Sequence, residues 1–365
     1  MTGWQEYRLD QVVKFQRGHD LTVQNICIGD YPVAGSNGII GYHSAFTTQA
    51  PGITLGRSGN SIGVVHYYKQ NFWAHNTTLY STEFIGSYPK YLYYFLKEID
   101  FTSFNTGSAV PSLNRNHIHS LKVRIPPLPE QKAIAAVLSS LDDKIDLLHR
   151  QNATLEAMAE ALFSQLFITT ESQKKLSAIT EWISFNQKRT IAKGDLAPYL
   201  EMSNVNTTTF HPSDIAYKDF SSGMKFINGD TLLARITPCL ENGKTCYVTF
   251  LENEQVGWGS TEYIVMRPGA ILHPFFAYCL AKTDDFRGYA ENCLTGSSGR
   301  QRVDAEHLKQ YEIASPTRQS IEEFNGLAAS IVPKLHNNFV QSLALEKLRD
   351  TLLPKLMSGE VRVQC

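Results

Sequence analysis

The 365-residue chain carries 34 Lys+Arg against 35 Asp+Glu, a formal net charge of −1, with 42% apolar and 19% charged residues. Those proportions are those of an ordinary globular protein of two or three domains, and they exclude a disordered, collagen-like or low-complexity chain. Purely apolar stretches such as 133–138 are far too short to span a bilayer, and the polar start MTGWQEYRLD has no signal-peptide character, so no membrane association and a cytoplasmic location are expected.

In chain order, the first 128 residues hold short β-like runs such as SIGVVHYY (61–68), broken by Gly/Asn/Pro turns, and one aromatic helix, PKYLYYFLKEI (89–99). Pro126, Pro127 and Pro129 in RIPPLPEQ cannot extend a strand and suit a helix start. A helix is then predicted over 129–168. Ile134, Leu138, Leu141, Ile145, Leu148, Asn152, Leu155, Ala159, Leu162 and Leu166 alternate steps of four and three, the spacing of a coiled-coil seam with Asn152 as its one polar member. Residues 169–316 return to strand-like runs such as TEYIVMRP (261–268) with the helix HPFFAYCLAK (273–282). A second helix is predicted over 317–357, with Phe324, Leu327, Ile331, Leu335, Asn338 or Phe339, Ser342, Leu345, Leu348 or Arg349, Leu352 and Leu356 on its seam and a tail at 358–365. Pro333 should kink that helix or leave a carbonyl unpaired.

The chain repeats itself. LEAMAEALFSQLF (155–167) matches LEKLRDTLLPKLM (345–357) without a gap at an offset of 190. TGSAVPSLNRNHIHSLKVRIPP (106–127) matches TGSSGRQRVDAEHLKQYEIASP (295–316), and GITLGR (52–57) resembles GDTLLAR (229–235). Each copy is a mixed α/β domain followed by a long helix. A pseudo-two-fold relation would make the helices antiparallel and set Asn152 against Asn338. Two polar residues would then meet in the seam and fix its register, against the plain alternative that both face solvent.

The segments PPLPEQKAIAAVLSSLDDKI and LLPKLMSGEV, with the TGS…LN…HIHSLKV lead-in, resemble the specificity (S) subunits of Type I restriction-modification enzymes over nearly the whole chain. ASPTRQSIEEF departs from the PPLPEQ form at the second junction. The resemblance implies two α/β target-recognition domains in tandem (1–128 and 169–316) separated by two long antiparallel coiled-coil helices. It further implies double-stranded DNA as ligand, with each domain reading half of a bipartite target. Two modification (methyltransferase) subunits would be partners, with translocating restriction subunits able to join them. S-adenosylmethionine would belong to the modification subunit, and no cofactor to this chain. A seam of 33 residues is about 50 Å long, against the roughly 34–36 Å between readers one turn apart on B-DNA.

Near-neutral charge gives no basic footprint by itself, with 10 basic against 7 acidic residues in 1–128 and 15 against 17 in 169–316. A coiled-coil scaffold whose mixed domains bind proteins is therefore the alternative. Candidate DNA contacts lie in polar glycine-rich loops: Ser36 and Asn37; Arg57, Ser58 and Asn60; Ser108, Ser112, Asn114 and Arg115; Ser203 and Asn204; Arg235; and Ser297, Ser298, Arg300, Gln301 and Arg302. Glycine lets backbone approach phosphate, while Arg, Asn, Gln and Ser offer donors and acceptors to base edges.

Catalytic chemistry finds no support. There is no NPP-aromatic motif or glycine-rich cofactor loop, and Gly243-Lys244-Thr245 lacks the upstream glycine of a phosphate loop. Glu130-x-Lys132 sits at a helix start, where Glu is favoured. His117-x-His119 has no acidic or thiol partner at ligand spacing, so a packing role and no metal are expected. Six irregularly spaced cysteines read as free thiols.

Overall fold

A computed structural model of the chain describes residues 3–26, 28–104, 112–168, 175–252, 254–297 and 299–363. It divides into two compact units, Met1–Lys144 with Ala344–Cys365, and Ile145–Leu343.

The first unit opens with β1 (Gln5–Arg8), β2 (Val13–Arg17), β3 (Tyr31–Gly35) and β4 (Gly38–His43). It continues with β5 (Gly52–Gly56), β6 (Val65–Tyr68), β7 (Trp73–Ala74) and β8 (Thr78–Phe84). An antiparallel sheet has the order β2-β8-β5-β6, and a second sheet, β4-β3-β7, contains a parallel β3–β7 pair. Helix α1 (Pro89–Lys97) starts on a proline whose missing N–H is one the first turn does not need, and it buries Tyr91, Leu92, Tyr94 and Leu96. Short α2 (Arg115–His119) leads into β9 (Lys122–Ile125), which pairs with β1. Pro126 and Pro127 end that strand, and α3 (Leu128–Phe163) begins at the next residue, prolonged by a wider turn over Ser164–Ile168.

The second unit repeats this plan with β10 (Leu176–Ala178), β11 (Ile183–Phe185), β12 (Leu196–Leu200), β13 (Ala216–Asp219) and β14 (Met224–Phe226). Then follow β15 (Thr231–Ala234), β16 (Thr245–Tyr247), β17 (Gly257–Gly259) and β18 (Tyr263–Pro268). Helices α4 (Phe275–Lys282), α5 (Asp284–Asn292) and α6 (Ala305–Leu308), strand β19 (Glu312–Ala314) and helix α7 (Arg318–Ser358) complete it. The sheet β11-β18-β15-β16 reproduces β2-β8-β5-β6, and β13-β12-β17 reproduces β4-β3-β7 with β14 added at the edge. β10 pairs with β19 as β1 pairs with β9.

Each unit draws on both long helices. In the first, Ile134 and Leu138 of α3 share a core with Leu9, Ile53, Tyr91 and Ile118 and with Leu353, Leu356 and Met357 of α7. In the second, Ala159 and Phe163 pack with Phe276 and with Phe324, Ile331 and Leu335 of α7. Rising numbers on α3 meet falling numbers on α7 in both units, so the helix segments are antiparallel in each. Asp142 accepts from Arg349 at 3.0 Å in the first. In the second, Asn338 Nδ2 donates to Asn152 Oδ1 at 2.9 Å, and Asn152 Nδ2 donates to the Leu335 carbonyl at 3.2 Å. Asn152 is buried, so the solvent-facing alternative does not describe it.

The seam expected for α3 is buried or half-buried throughout. On α7, both Asn338 and Phe339 face inward, whereas Leu348 is exposed and Arg349 takes the inward position beside Asp142. Pro333 does not divide α7. It lies on the exposed side, as does Ala329, whose carbonyl loses its helical donor there within reach of water. Among the described residues no helix is long and apolar enough to cross a membrane.

Candidate nucleic-acid interface

The polar loops of the first unit converge where β5 ends. A Cβ on Gly56 would lie 1.8 Å from the Ser61 carbonyl oxygen and 2.6 Å from that of Ser36, so only glycine lets the loops 34–38 and 56–61 close on one another. Ser36 Oγ donates to the Thr77 carbonyl at 2.8 Å, and the Arg57 N–H donates to the same carbonyl at 3.0 Å. On the other side, the Leu113 N–H donates to the Arg57 carbonyl at 2.8 Å and Ser58 bridges Ser112. Arg17, Arg57 and Arg115 thereby line one concavity of about 260 Å³ together with Ser112 and Asn114.

The second unit builds the same junction at the end of β15. The Arg235 N–H donates to the Glu262 carbonyl at 3.0 Å, the Val303 N–H donates to the Arg235 carbonyl at 2.9 Å, and Ile236 bridges Arg302. Leu113 and Val303, both buried, anchor the loop in each copy. One residue further on, Asn114 caps α2 and Asp304 caps α6 through their side chains. These caps satisfy N–H groups that a short helix leaves open.

Residues 1–157 match the family model of the Type I restriction modification DNA specificity domain. Over that stretch the chain is similar to the Type I restriction-modification specificity subunits. The chain is 23% identical over 316 residues to the MjaIX specificity subunit of Methanocaldococcus jannaschii, covering 76% of this chain and 70% of that one. It is 33% identical over 151 residues to the EcoAI specificity subunit of Escherichia coli, covering 40% of this chain and 25% of that one. The fold is also that of the S subunit from M. genitalium, with a TM-score of 0.66 at 17% identity over 97% of this chain and 96% of that one.

In this chain the candidate residues fall into distinct settings. Asn37, Asn60, Arg115, Ser203, Ser297 and Arg300 are exposed, and Ser36, Arg57, Ser58, Ser112, Arg235, Gln301 and Arg302 are half-buried at the two junctions. The side chain of Asn204 donates to the Asp214 carbonyl, and that of Asn114 is the helix cap just described, so both carry local structure. Ser108 and Ser298 lie outside the described residues. Arg302 is engaged by Glu262, which the sequence reading missed because TEYIVMRP reads as the start of a strand.

Lys244, set aside as a phosphate-loop lysine, donates to the carbonyls of Met202 at 2.8 Å and Ser203 at 3.4 Å, tying the β15–β16 turn to the 202–204 loop. His119 Nε2 accepts the Phe15 N–H at 3.0 Å, and burial lowers its pKa, keeping the ring in the neutral accepting form. Among the described residues no cluster of His, Cys, Asp and Glu is arranged for a metal, and Cys239, Cys246, Cys279 and Cys293 are free thiols. Glu130 does more than favour a helix start. It accepts from Trp4 Nε1 at 3.4 Å and from Arg362 Nη2 at 2.8 Å, joining residues near the two ends of the chain.

Proposed function

We propose that each unit reads one half of a bipartite duplex DNA target, and that the chain positions two modification subunits on it. Those subunits would bring S-adenosylmethionine, and restriction subunits would be able to join them. The observation that carries this reading is the junction built twice: an arginine at a strand end, clamped between two backbone partners, beside a capped short helix. Arg57 and Arg235 occupy equivalent places in it, and arginine is the side chain best suited to phosphate and to guanine edges. A protein-binding scaffold has no comparable need for an arginine clamped at the same strand end in both halves.

The chain itself is proposed to have no catalytic role. The test is to purify it with its modification subunits and measure binding to its own genomic duplex and to random duplex over a range of salt. Sequence-dependent binding that weakens steeply with salt is expected. Binding indifferent to both would favour the scaffold, and turnover of S-adenosylmethionine by the pure chain alone would overturn the non-catalytic reading.

A further inference from the structure

The two junctions share their backbone contacts and differ in their side chains. The run 73–78 aligns with 258–263 residue for residue: Gly56 pairs with Thr78 as Ala234 pairs with Tyr263, and Trp73 and Trp258 both sit on the strand parallel to its neighbour. Thr77 therefore stands where Glu262 stands. Across the junction, Ser58 bridges Ser112 as Ile236 bridges Arg302, and the residue after each donates to the clamped arginine. Ser112 therefore stands where Arg302 stands. A neutral Thr–Ser pair in one unit is an ion pair in the other.

That ion pair has a specific geometry. Arg302 Nε donates to Glu262 Oε1 at 2.9 Å and Oε2 at 3.0 Å, Nη2 donates to Oε1 at 2.8 Å, and Nη1 donates to the Arg300 carbonyl at 3.3 Å. One N–H on each terminal nitrogen is left without a partner among the described residues, and the side chain is 43% exposed. Two parallel donors on a rigid planar fork match the N7 and O6 acceptors on the major-groove edge of guanine. An ion pair this exposed adds little stability, but it fixes the direction of an otherwise mobile side chain.

We propose that Arg302, oriented by Glu262 as a positioning residue, reads a guanine in the half-site of the second unit. Thr77 and Ser112 at the equivalent positions give the first unit a different preference. This rests on the DNA-recognition reading above. The test selects randomised duplex DNA with the full chain bound to its modification subunits and sequences the retained fraction. Wild type should retain a bipartite motif with a guanine in one half, and Arg57→Ala, by altering the other half, marks the half read by the first unit.

Arg302→Ser should reduce the preference for that guanine by about tenfold or more. Glu262→Gln should weaken it, with Glu262→Asp restoring part of it. Retention of the first half-site in the Arg302 and Glu262 variants shows that the protein is folded. A guanine preference unchanged by Arg302→Ser or Glu262→Gln, or a second half-site without guanine, overturns the inference while leaving DNA recognition standing. Absence of any motif with wild type overturns the DNA reading and this inference together.

Discussion

At the scale of single residues, the clamped arginines combine a main chain fixed by structure with a side chain available for contact. Because Arg57 is held through its N–H and carbonyl, Arg57→Ala should keep the fold and lose only the guanidinium. Recognition of one half-site should weaken by about 1–3 kcal/mol, read as loss of one half of the selected motif with the other half intact. Arg57 and Arg302 were legible in the sequence because each lies in a polar glycine-containing loop. Glu262 was not, since its role depends on which loop the fold places across from it. Glu156 was hidden for a similar reason. It is buried on α3, accepts from Tyr278 at 2.7 Å, and burial pushes its carboxyl up from 4.5 to about 7. The folded state thus holds a proton that the unfolded chain releases sooner, so this group makes stability fall as pH rises from 4.5 to about 7 and adds no further change above. The fall is at most about 3 kcal/mol. Glu160, raised by burial in the same direction, adds to it. Glu156→Gln should narrow the difference in Tm between pH 5 and pH 8, and an unchanged difference would remove Glu156 as its source.

At the scale of elements, the long helices were the most legible part of the chain because a coiled-coil seam repeats over many turns, so that a single exception such as Pro333 does not hide it. The same periodicity could not show the second face of α3, where Glu156 meets the reader domain and Phe163 meets both that domain and α7. Nor could it choose between Leu348 and Arg349, a choice made by Asp142 on the facing helix. The Asn152–Asn338 bond gives the seam a polar pair. Asn152→Leu should leave Asn338 unsatisfied beside apolar surface and lower stability by about 1–3 kcal/mol. Changing both to leucine should recover that loss, and a double variant no more stable than the single one would show that the pair does not act as a unit.

At the scale of the whole molecule, the repeat was legible from the offset of 190, whereas the way the units are assembled was not, because the division falls inside the helices rather than between predicted domains. The last turns of α7 belong to the unit that contains the N-terminus. Removing 344–365 deletes Leu353, Leu356 and Met357 from the core around Ile134 and Leu138, together with the Arg362–Glu130 ion pair. Three such side chains are worth about 1.5–3 kcal/mol each, a large share of the roughly 5–15 kcal/mol that holds a domain folded. Hydrogen exchange on the truncated chain should therefore show protection lost first in 1–144, with 145–343 retained. Equal loss in both units, or loss confined to 145–343, would contradict this partition.

That assembly makes the chain a domain-swapped dimer written as one polypeptide. The first copy lends the end of its helix, with Ala159 and Phe163, to the second unit, and the second copy lends Leu353 and Leu356 to the first. The parts of this protein are therefore interchangeable along some cuts and not along others. A reader replaced up to Leu128, or between the end of α3 and Arg318, brings in new loops and leaves both lent helix ends in their own cores. A reader exchanged together with the whole of its helix carries a mismatched end into the opposite unit. Variation in what is recognised can accumulate in the readers' loops, while the two helices and the reader residues packed on them must change together.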